Sequence, residues 1–256
     1  MNAFTPHTPQ VMGILNVTPD SFYAGCRSMA DADIVARVDD IVAEGAHIID
    51  IGACSTRPGA KLTSPGEERQ RLRHALTLIG RHRQDLTLSV DTFRADVARM
   101  CVEEFGVRMV NDVSGGEADE AMFATVASLQ ATYVLTFCKA ADMEGFFAER
   151  VERLHKLGCD RVVLDPGLGF GKSIDECYQA IAMIPSLLHF GMPILVGASR
   201  KSMIYKLLDT TPQEALNGTT VLHTLALIQG ASILRTHDVR EAVEAVRIVR
   251  KFQENK

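Results

Sequence analysis

Polar side chains recur at the ends of β-rich runs in this sequence, and they fall into two chemical groups. Asp91, Asn111 and Asp165 offer carboxylate and amide groups. These suit the edge of a flat nitrogen heterocycle, because an amino-pyrimidinone edge has NH donors for carboxylates and acceptors for an amide NH2. The second group is cationic and suits phosphate or pyrophosphate; its members are Arg57, Lys201, Arg235 and His237. The sequence therefore predicts a polar ring bound beside a multiply charged anion.

Eight short β-rich runs carry these residues, and nearly all are followed by a helical pattern. The runs are nearly continuous in apolar residues, which indicates strands covered on both faces, as in a parallel sheet. Strand–helix units in this number, within 256 residues, predict one (β/α)8 barrel domain over residues 1–256. A doubly wound open sheet is the alternative, although it usually carries a glycine fingerprint after its first strand. The runs cover residues 11–17, 47–52, 86–91, 109–114, 132–137, 161–165, 193–199 and 232–238.

Three helix starts are marked by capping signals. Ser64 and Thr211 are each followed by a proline and, three residues on, by a glutamate, and Ser173 has the glutamate alone. We therefore expect helices to begin at residues 65, 212 and 174.

The position of the polar residues favours a functional site. A single Asp or Asn after a strand is most often a turn residue or a helix N-cap. In a barrel, however, the carboxyl ends of all strands meet at one mouth, where active sites are built. Several unpaired polar groups at that mouth would be costly to bury without a ligand. The set as a whole therefore predicts a small-molecule site.

Composition excludes several classes of function. The chain has 27 Lys+Arg against 32 Asp+Glu and no basic tract, which argues against nucleic acid or an anionic membrane as partner. No apolar run approaches the roughly 18–20 residues of a membrane span, and the first residues lack the features of a signal peptide. The six cysteines have no metal-like spacing. We expect a cytoplasmic protein.

A glycine-rich stretch at residues 166–173 is similar to a P-loop, but its first position is Pro166 in place of glycine. We expect this stretch to form a tight loop after the sixth strand and to place Phe170 over the mouth.

Seven blocks of the sequence, in the same order, resemble those of the dihydropteroate synthases. Together they span nearly the whole predicted barrel. They are MGILNVTPDSF (12–22), DIGACSTRPGA (50–60), SVDT (89–92), NDVSG (111–115), LDPGLGFGK (164–172), GASRKS (197–202) and RTHDV (235–239).

The resemblance implies a folate-pathway transferase. Such an enzyme joins 6-hydroxymethyl-7,8-dihydropterin pyrophosphate to p-aminobenzoate, giving 7,8-dihydropteroate and pyrophosphate. It also implies a homodimer, a Mg2+ cofactor and inhibition by sulfonamides. The catalytic residues would be Asp91, Lys201 and Arg235.

The same resemblance assigns the remaining site residues. The pterin pocket would comprise Asp91, Asn111, Asp165 and Lys201. The pyrophosphate site would comprise Asn16, Arg235 and His237, with Asn16 also a Mg2+ ligand. Residues 18–22 would belong to a mobile first loop. Thr56, Arg57 and Pro58 would belong to a mobile second loop, and Phe170 and Ser202 to the p-aminobenzoate side.

Two alternatives stay open, and the first of them rests on a departure from the family pattern. The fifth strand ends in Thr136, Phe137, Cys138 and Lys139, where the family normally has a Met-His-Met block. A non-catalytic homologue would bind pterin without turnover. A pterin-dependent methyltransferase domain has a similar pterin site but needs no pyrophosphate site, so the STRPG, SRKS and Arg-x-His sequences argue against it.

Overall fold

Eight parallel strands form a nearly closed barrel in the computed structural model, which describes residues 8–18, 27–54, 63–138, 142–169 and 171–255. Their hydrogen-bonded order is β6-β5-β4-β3-β2-β1-β8-β7, and a parallel bridge from Leu164 to Ile194 links β6 to the start of the seventh unit. The predicted (β/α)8 barrel is confirmed, and the open sheet is wrong. The strands are β1 Gln10–Asn16, β2 Ile48–Gly52, β3 Leu88–Asp91, β4 Met109–Asp112, β5 Thr132–Thr136, β6 Val162–Asp165, β7 Leu195–Val196 and β8 Ile233–Thr236.

Helices connect the strands and pack around the barrel. Their apolar stripes supply most of the core; Ile34, Val38 and Ile41 of the first helix are all buried. Among the described residues, no helix is long and apolar enough to cross a membrane. The helices are α1 Arg27–Ala43, α2 Pro65–His82, α3 Ala95–Phe105, α4 Met122–Ser128, α5 Met143–Lys156, α6 Ile174–Ala182, α7 Ile184–Leu187, α8 Ser202–Tyr205, α9 Leu216–Gln229 and α10 Val239–Gln253.

Two of the three predicted helix starts are correct. Ser64 and Ser173 each accept a backbone N–H from the glutamate three residues on, and that glutamate accepts the serine N–H in return. The third is wrong, because α9 begins at Leu216. There the Glu214 carboxylate accepts hydrogen bonds from the hydroxyls of Thr210 and Thr211, at 2.7 and 3.0 Å, and the segment forms turns instead of a first helical turn.

The inside of the barrel consists of two layers with different chemistry. Side chains alternate between the two faces of a strand, so residues two apart point to the same side. The lower layer is apolar and buried; it comprises Met12, Ile48, Met109, Val134, Val163, Leu195 and Ile233. Two residues further along the same strands lies the upper layer, which comprises Ile14, Asp50, Asn111, Thr136, Asp165, Gly197 and Arg235.

Candidate active site

A guanidinium group lies between two carboxylates in the upper layer. Arg235 donates from Nε to Asp50 Oδ2 and from Nη2 to Asp91 Oδ2, both at 2.7 Å. The Asp50 side chain is fully buried, and those of Arg235 and Asp91 are only 19% and 15% exposed. The sequence grouped Arg235 with cations set apart from the carboxylates. The structure differs, because the two groups meet at this bridge.

The amide of Asn111 is held by the same acidic residue. Its Nδ2 donates to Asp50 Oδ2 at 2.9 Å. Asn111 Oδ1 and Asp50 Oδ1 are buried and have no hydrogen-bond partner among the described residues. Asp50 was not among the predicted site residues. A charged residue inside an otherwise apolar strand was the signal that could have revealed it.

The electrostatics of this cluster keep Arg235 charged and bring the pKa of Asp91 close to neutral pH. Burial raises the pKa of Asp91 to about 7; Arg235 acts in the opposite direction, and the neighbouring carboxylates of Asp50, Asp112 and Glu68 add to the rise. Burial opposes the charge of Arg235, but Asp50 and Asp91 outweigh it, and the pKa of Arg235 is raised. Asp91 can therefore change its protonation state near neutral pH while the guanidinium stays cationic.

Lys201 and Asp165 supply two further charged groups at the mouth. Lys201 donates from Nζ to the carbonyl oxygen of Leu168, and Asp165 Oδ1 accepts the Gly167 N–H at 2.8 Å. Burial lowers the pKa of Lys201 to about 8; Asp165 opposes this shift, and Arg235 adds to it. Burial raises the pKa of Asp165, and the charge of Lys201 limits that rise. Each charge of this pair is thus stabilised mainly by the other.

The glycine-rich loop after β6 passes closely over the end of β5. Gly167 has a positive φ of 66°, and a Cβ at that position would lie 2.0 Å from the Phe137 carbonyl oxygen. Lys172 Nζ donates to the carbonyl oxygens of Phe137 and Gly167, at 2.7 and 3.0 Å. The loop is therefore as tight as the sequence predicts. Phe170, the residue expected over the mouth, lies outside the described residues.

The altered fifth strand ends in an aromatic cluster. The ring of Phe137 packs on Phe146 and Phe147, with centroid distances of 5.1 and 6.2 Å, and Lys172 Nζ lies 4.5 Å from its centroid. Cys138 is half-buried, and its thiol donates to the Ser114 carbonyl oxygen at 3.3 Å. The strand end is thus well packed without the Met-His-Met block, although Lys139 lies outside the described residues.

Asn16 lies at the end of β1, close to Asp91. A Cβ on Gly52 would lie 3.4 Å from Asn16 Oδ1 and 3.8 Å from Asp91 Oδ2. The glycine therefore leaves space between these two oxygens. The described residues include no group of three or more His, Cys, Asp or Glu side chains that could hold a metal.

His237 and Ser202 complete the part of the site that the structure describes. The backbone carbonyl oxygen of His237 accepts a hydrogen bond from Arg37 Nη2 at 2.8 Å. The backbone N–H of His237 donates to Ser199 Oγ at 3.2 Å. Ser202 begins α8 and lines a cavity of about 190 Å³ together with Lys172 and Lys206. Both predicted residues therefore lie at the carboxyl ends of the strands.

Three predicted residues of the second loop, Thr56, Arg57 and Pro58, lie outside the described residues, as do residues 19–22 of the first loop. Both described ends of the second loop are fixed by arginines. Arg71 donates to the Ala53 carbonyl oxygen at 3.1 Å, and Arg94 donates to the Thr63 carbonyl oxygen at 2.8 Å. Arg94 also pairs with Glu68, a fully buried residue that the sequence did not single out.

A larger cavity, of about 770 Å³, opens at the amino ends of the strands. Its lining includes Gln10, Thr87, Arg108, Thr132 and Arg161. None of the predicted site residues lies there, so the chemistry is concentrated at the other mouth.

Comparison with known proteins agrees with this arrangement. A sequence model described as pterin-binding enzyme matches residues 12–237. The dihydropteroate synthase of Escherichia coli (strain K12) is 37% identical, over 94% of this chain and 90% of its own length. Its counterpart from Clostridium difficile, solved in the presence of pteroic acid, has a TM-score of 0.93 and 34% identity, over 98% of this chain and 99% of that one. The Xanthomonas albilineans enzyme with 4-aminobenzoic acid has a TM-score of 0.89 and 36% identity, over 97% of this chain and 94% of that one.

Proposed function

Because this chain belongs to the dihydropteroate synthases of the pterin-binding enzyme family, we propose that it joins 6-hydroxymethyl-7,8-dihydropterin pyrophosphate to p-aminobenzoate. The bond between the pterin methylene carbon and the pyrophosphate oxygen breaks, and a bond from that carbon to the arylamine nitrogen forms. The nitrogen loses a proton, and the products are 7,8-dihydropteroate and pyrophosphate. The chain is a transferase.

The contact between Arg235 and Asp91 carries this proposal. Departure of pyrophosphate leaves negative charge on the departing oxygens and positive charge on the pterin methylene. A guanidinium and a carboxylate joined by a 2.7 Å hydrogen bond place stabilising groups of both signs next to each other. Arg235 and His237 then bind the pyrophosphate, and Asp91 stabilises the cation. The neutral arylamine needs little activation to attack.

Asn111, Asp165 and Lys201 would bind the pterin ring. The amide oxygen of Asn111 and the carboxylate of Asp165 accept ring NH groups, and the ammonium of Lys201 donates to ring acceptors. The p-aminobenzoate carboxylate would lie near Ser202. Phe170 would lie on the same side. The first loop, and the second loop with Thr56, Arg57 and Pro58, would close over the substrates and exclude water, which would otherwise capture the cation.

A Mg2+ ion fits this site if the substrate supplies most of its ligands. Mg2+ commonly binds through one or two protein oxygens, several waters and substrate phosphates. Asn16 offers such an oxygen beside the space left by Gly52. When bound, the ion would neutralise charge on the pyrophosphate.

The proposal also includes the setting in which the enzyme works. We propose that it acts in the cytoplasm, where its cysteines stay reduced; no disulfide joins the cysteines in the described part of the chain.

We propose that the functional unit is a homodimer formed through α9. This helix exposes a stripe of apolar side chains, with Val221, Leu225 and Ile228 each 44–51% exposed. Leu207 and Leu208, both 55% exposed, extend the apolar surface beside it. A two-fold axis through such a face would pair it with itself. Leu225→Glu should give a monomer in sedimentation equilibrium, and a variant that remains dimeric would refute this interface.

The test of the reaction is a direct assay with the pterin pyrophosphate, labelled p-aminobenzoate and Mg2+. Labelled dihydropteroate that is lost when Mg2+ is chelated would support the proposal. Saturable pterin binding without product would replace the transferase with a pterin-binding homologue. Methyl transfer from methyltetrahydrofolate without use of p-aminobenzoate would favour the methyltransferase.

Inhibition tests the p-aminobenzoate side separately. Sulfonamides mimic p-aminobenzoate, so they should raise its KM and leave kcat unchanged. Uncompetitive inhibition, or none, would contradict the assignment of that side.

A further inference from the structure

Asp50 is the residue at the centre of the site for which neither the sequence blocks nor the proposed reaction supplies a role. We propose that Asp50 is a positioning residue that orients two ligand-binding groups at once, the amide of Asn111 and the guanidinium of Arg235. This inference rests on the proposed function, because the ligands of those two groups are taken to be the pterin ring and the pyrophosphate.

The orientation of the Asn111 amide follows from the chemistry of Asp50. An ionised carboxylate only accepts hydrogen bonds, so the amide must turn its NH2 group towards Asp50. The structure shows this orientation, with Asn111 Nδ2 donating to Asp50 Oδ2 at 2.9 Å. It leaves Asn111 Oδ1 as a buried acceptor with no partner in the described part of the chain. A buried oxygen without a partner destabilises the site, and a ligand N–H can remove that cost. Asp50 thus selects a ring N–H at this position.

The orientation of Arg235 follows from the same carboxylate oxygen. A guanidinium carries its N–H groups in a rigid planar fork. Contacts from Nε to Asp50 and from Nη2 to Asp91 fix that plane. Neither contact uses Nη1, whose N–H groups can then donate to pyrophosphate oxygens. Without Asp50, one contact would hold the fork, and its plane could rotate.

The location of Asp50 suits a supporting role, because two ligand-binding groups meet at one of its oxygens. It lies in the middle of β2, its side chain is fully buried, and Oδ2 is already shared by two donors. By strand register it lies beside Ile14 on one side and Ser89 on the other. Its influence on the ligands therefore passes through Asn111 and Arg235.

The test is Asp50→Asn, which keeps the shape of the side chain and removes its charge. The hydrogen bonds from Asn111 and Arg235 then go to a neutral amide oxygen, and the amide can also turn its NH2 group towards them, so the two groups lose a charged acceptor of fixed orientation. Calorimetry with a free pterin and, separately, with inorganic pyrophosphate should show both affinities falling by about 10- to 100-fold, the range expected when a hydrogen bond to a charged group is lost. Asp112→Asn is the matched control. Asp112 is also buried, but it accepts from Ser114 and Tyr133 and contacts neither ligand-binding group; both affinities should stay within about twofold.

Double variants separate positioning from a general structural role. If Asp50 acts through Asn111, adding Asp50→Asn to the Asn111→Ala variant should have little further effect on pterin affinity. If it acts through Arg235, its effect on pyrophosphate affinity should likewise shrink in an Arg235→Lys background. Equal losses in all backgrounds, or affinities within twofold of wild type in Asp50→Asn, would overturn the proposal.

Two further arms keep the experiment decisive. If Asp50→Asn does not fold by circular dichroism, Asp50→Ser supplies the same comparison, since it removes the charge and leaves room for a water molecule. A wild-type protein that binds neither probe would overturn the proposed function as well. A wild-type protein that binds both, with unchanged affinities in the Asp50 variants, would overturn only the positioning role.

Discussion

The two layers inside the barrel are built by the same strands and differ by two residues in position. The lower layer consists of aliphatic and methionine side chains that are almost fully buried. The upper layer, on the same inward face, holds Asp50, Asn111, Thr136, Asp165 and Arg235. Three of these residues contribute buried atoms that have no partner in the described structure: Asp50 Oδ1, Asn111 Oδ1 and Thr136 Oγ1.

This difference separates stability from function within one barrel. Apolar burial in the lower layer stabilises the fold, at roughly 25 cal/mol for each Å² removed from water. Unsatisfied polar atoms in the upper layer destabilise it, because they have given up water without gaining a partner. Substitutions in the two layers should therefore act on different measurements.

The largest expected effect is on turnover, in the upper layer. Asp91→Asn removes the carboxylate that stabilises the pterin cation, so kcat should fall by about 10³-fold, or roughly 4 kcal/mol of transition-state stabilisation. The thermal midpoint should be retained, since burial already disfavours the charge of Asp91. Steady-state kinetics and calorimetric melting check this. Turnover close to wild type would remove Asp91 from the mechanism.

The opposite result is expected in the lower layer. Met109→Ala should lower the free energy of unfolding by about 2–5 kcal/mol, because it leaves a cavity among well-packed side chains. Pterin affinity should not change. Denaturant titration measures the first quantity and calorimetry the second. An unchanged stability with weaker binding would erase the distinction between the layers.

A smaller effect is expected in the pH dependence of kcat/KM. Asp91 loses its proton as pH rises through about 7, and Lys201 loses its proton above about 8. If the reaction needs the Asp91 carboxylate and the Lys201 ammonium, kcat/KM should rise as pH passes about 7 and decline as pH passes about 8. Lys201→Arg keeps its charge at high pH, so the decline should move upward while the rise stays. A decline that does not move would assign it to another group.

The smallest effect is expected at the boundary between the layers. Ser89 lies beside Asp50 and Met109 in the sheet, and its buried Oγ has no partner in the part of the chain that the structure describes. Ser89→Ala should change the free energy of unfolding by less than about 1 kcal/mol, because no hydrogen bond is lost. A loss above about 2 kcal/mol would show that this hydroxyl is hydrogen-bonded in the folded protein.

Much of this arrangement could be predicted from the sequence, because strand ends are local features. Asp91 and Asp165 each close an apolar run, Asn111 lies one residue before the end of its own, and a barrel brings all such ends to one mouth. Asp50 was missed because it lies within its strand, and its importance depends on Arg235, which is 185 residues away. Side-chain type predicted a cation at residue 235 but not which carboxylates it would contact.

The false helix start at Thr211 has a similar cause. Its capping pattern matches the two correct ones, but a second hydroxyl, from Thr210, also binds the Glu214 carboxylate. A pattern of residue types does not specify how such competition between partners is resolved. The boundaries of elements are therefore harder to predict than their existence.

The bridge through Arg235 also determines when the site can form during protein synthesis. Asp50 and Asp91 precede Arg235 by 185 and 144 residues, and β8 is the last strand to leave the ribosome. Until it emerges, the two carboxylates have no counter-charge from Arg235, and water must continue to solvate them. The apolar side chains of the earlier strands can collapse during this time, but the mouth above them stays hydrated. Pairing of β8 with β1 then brings Arg235 to the two carboxylates, so a nascent chain becomes competent to bind substrate only when this last strand is in place.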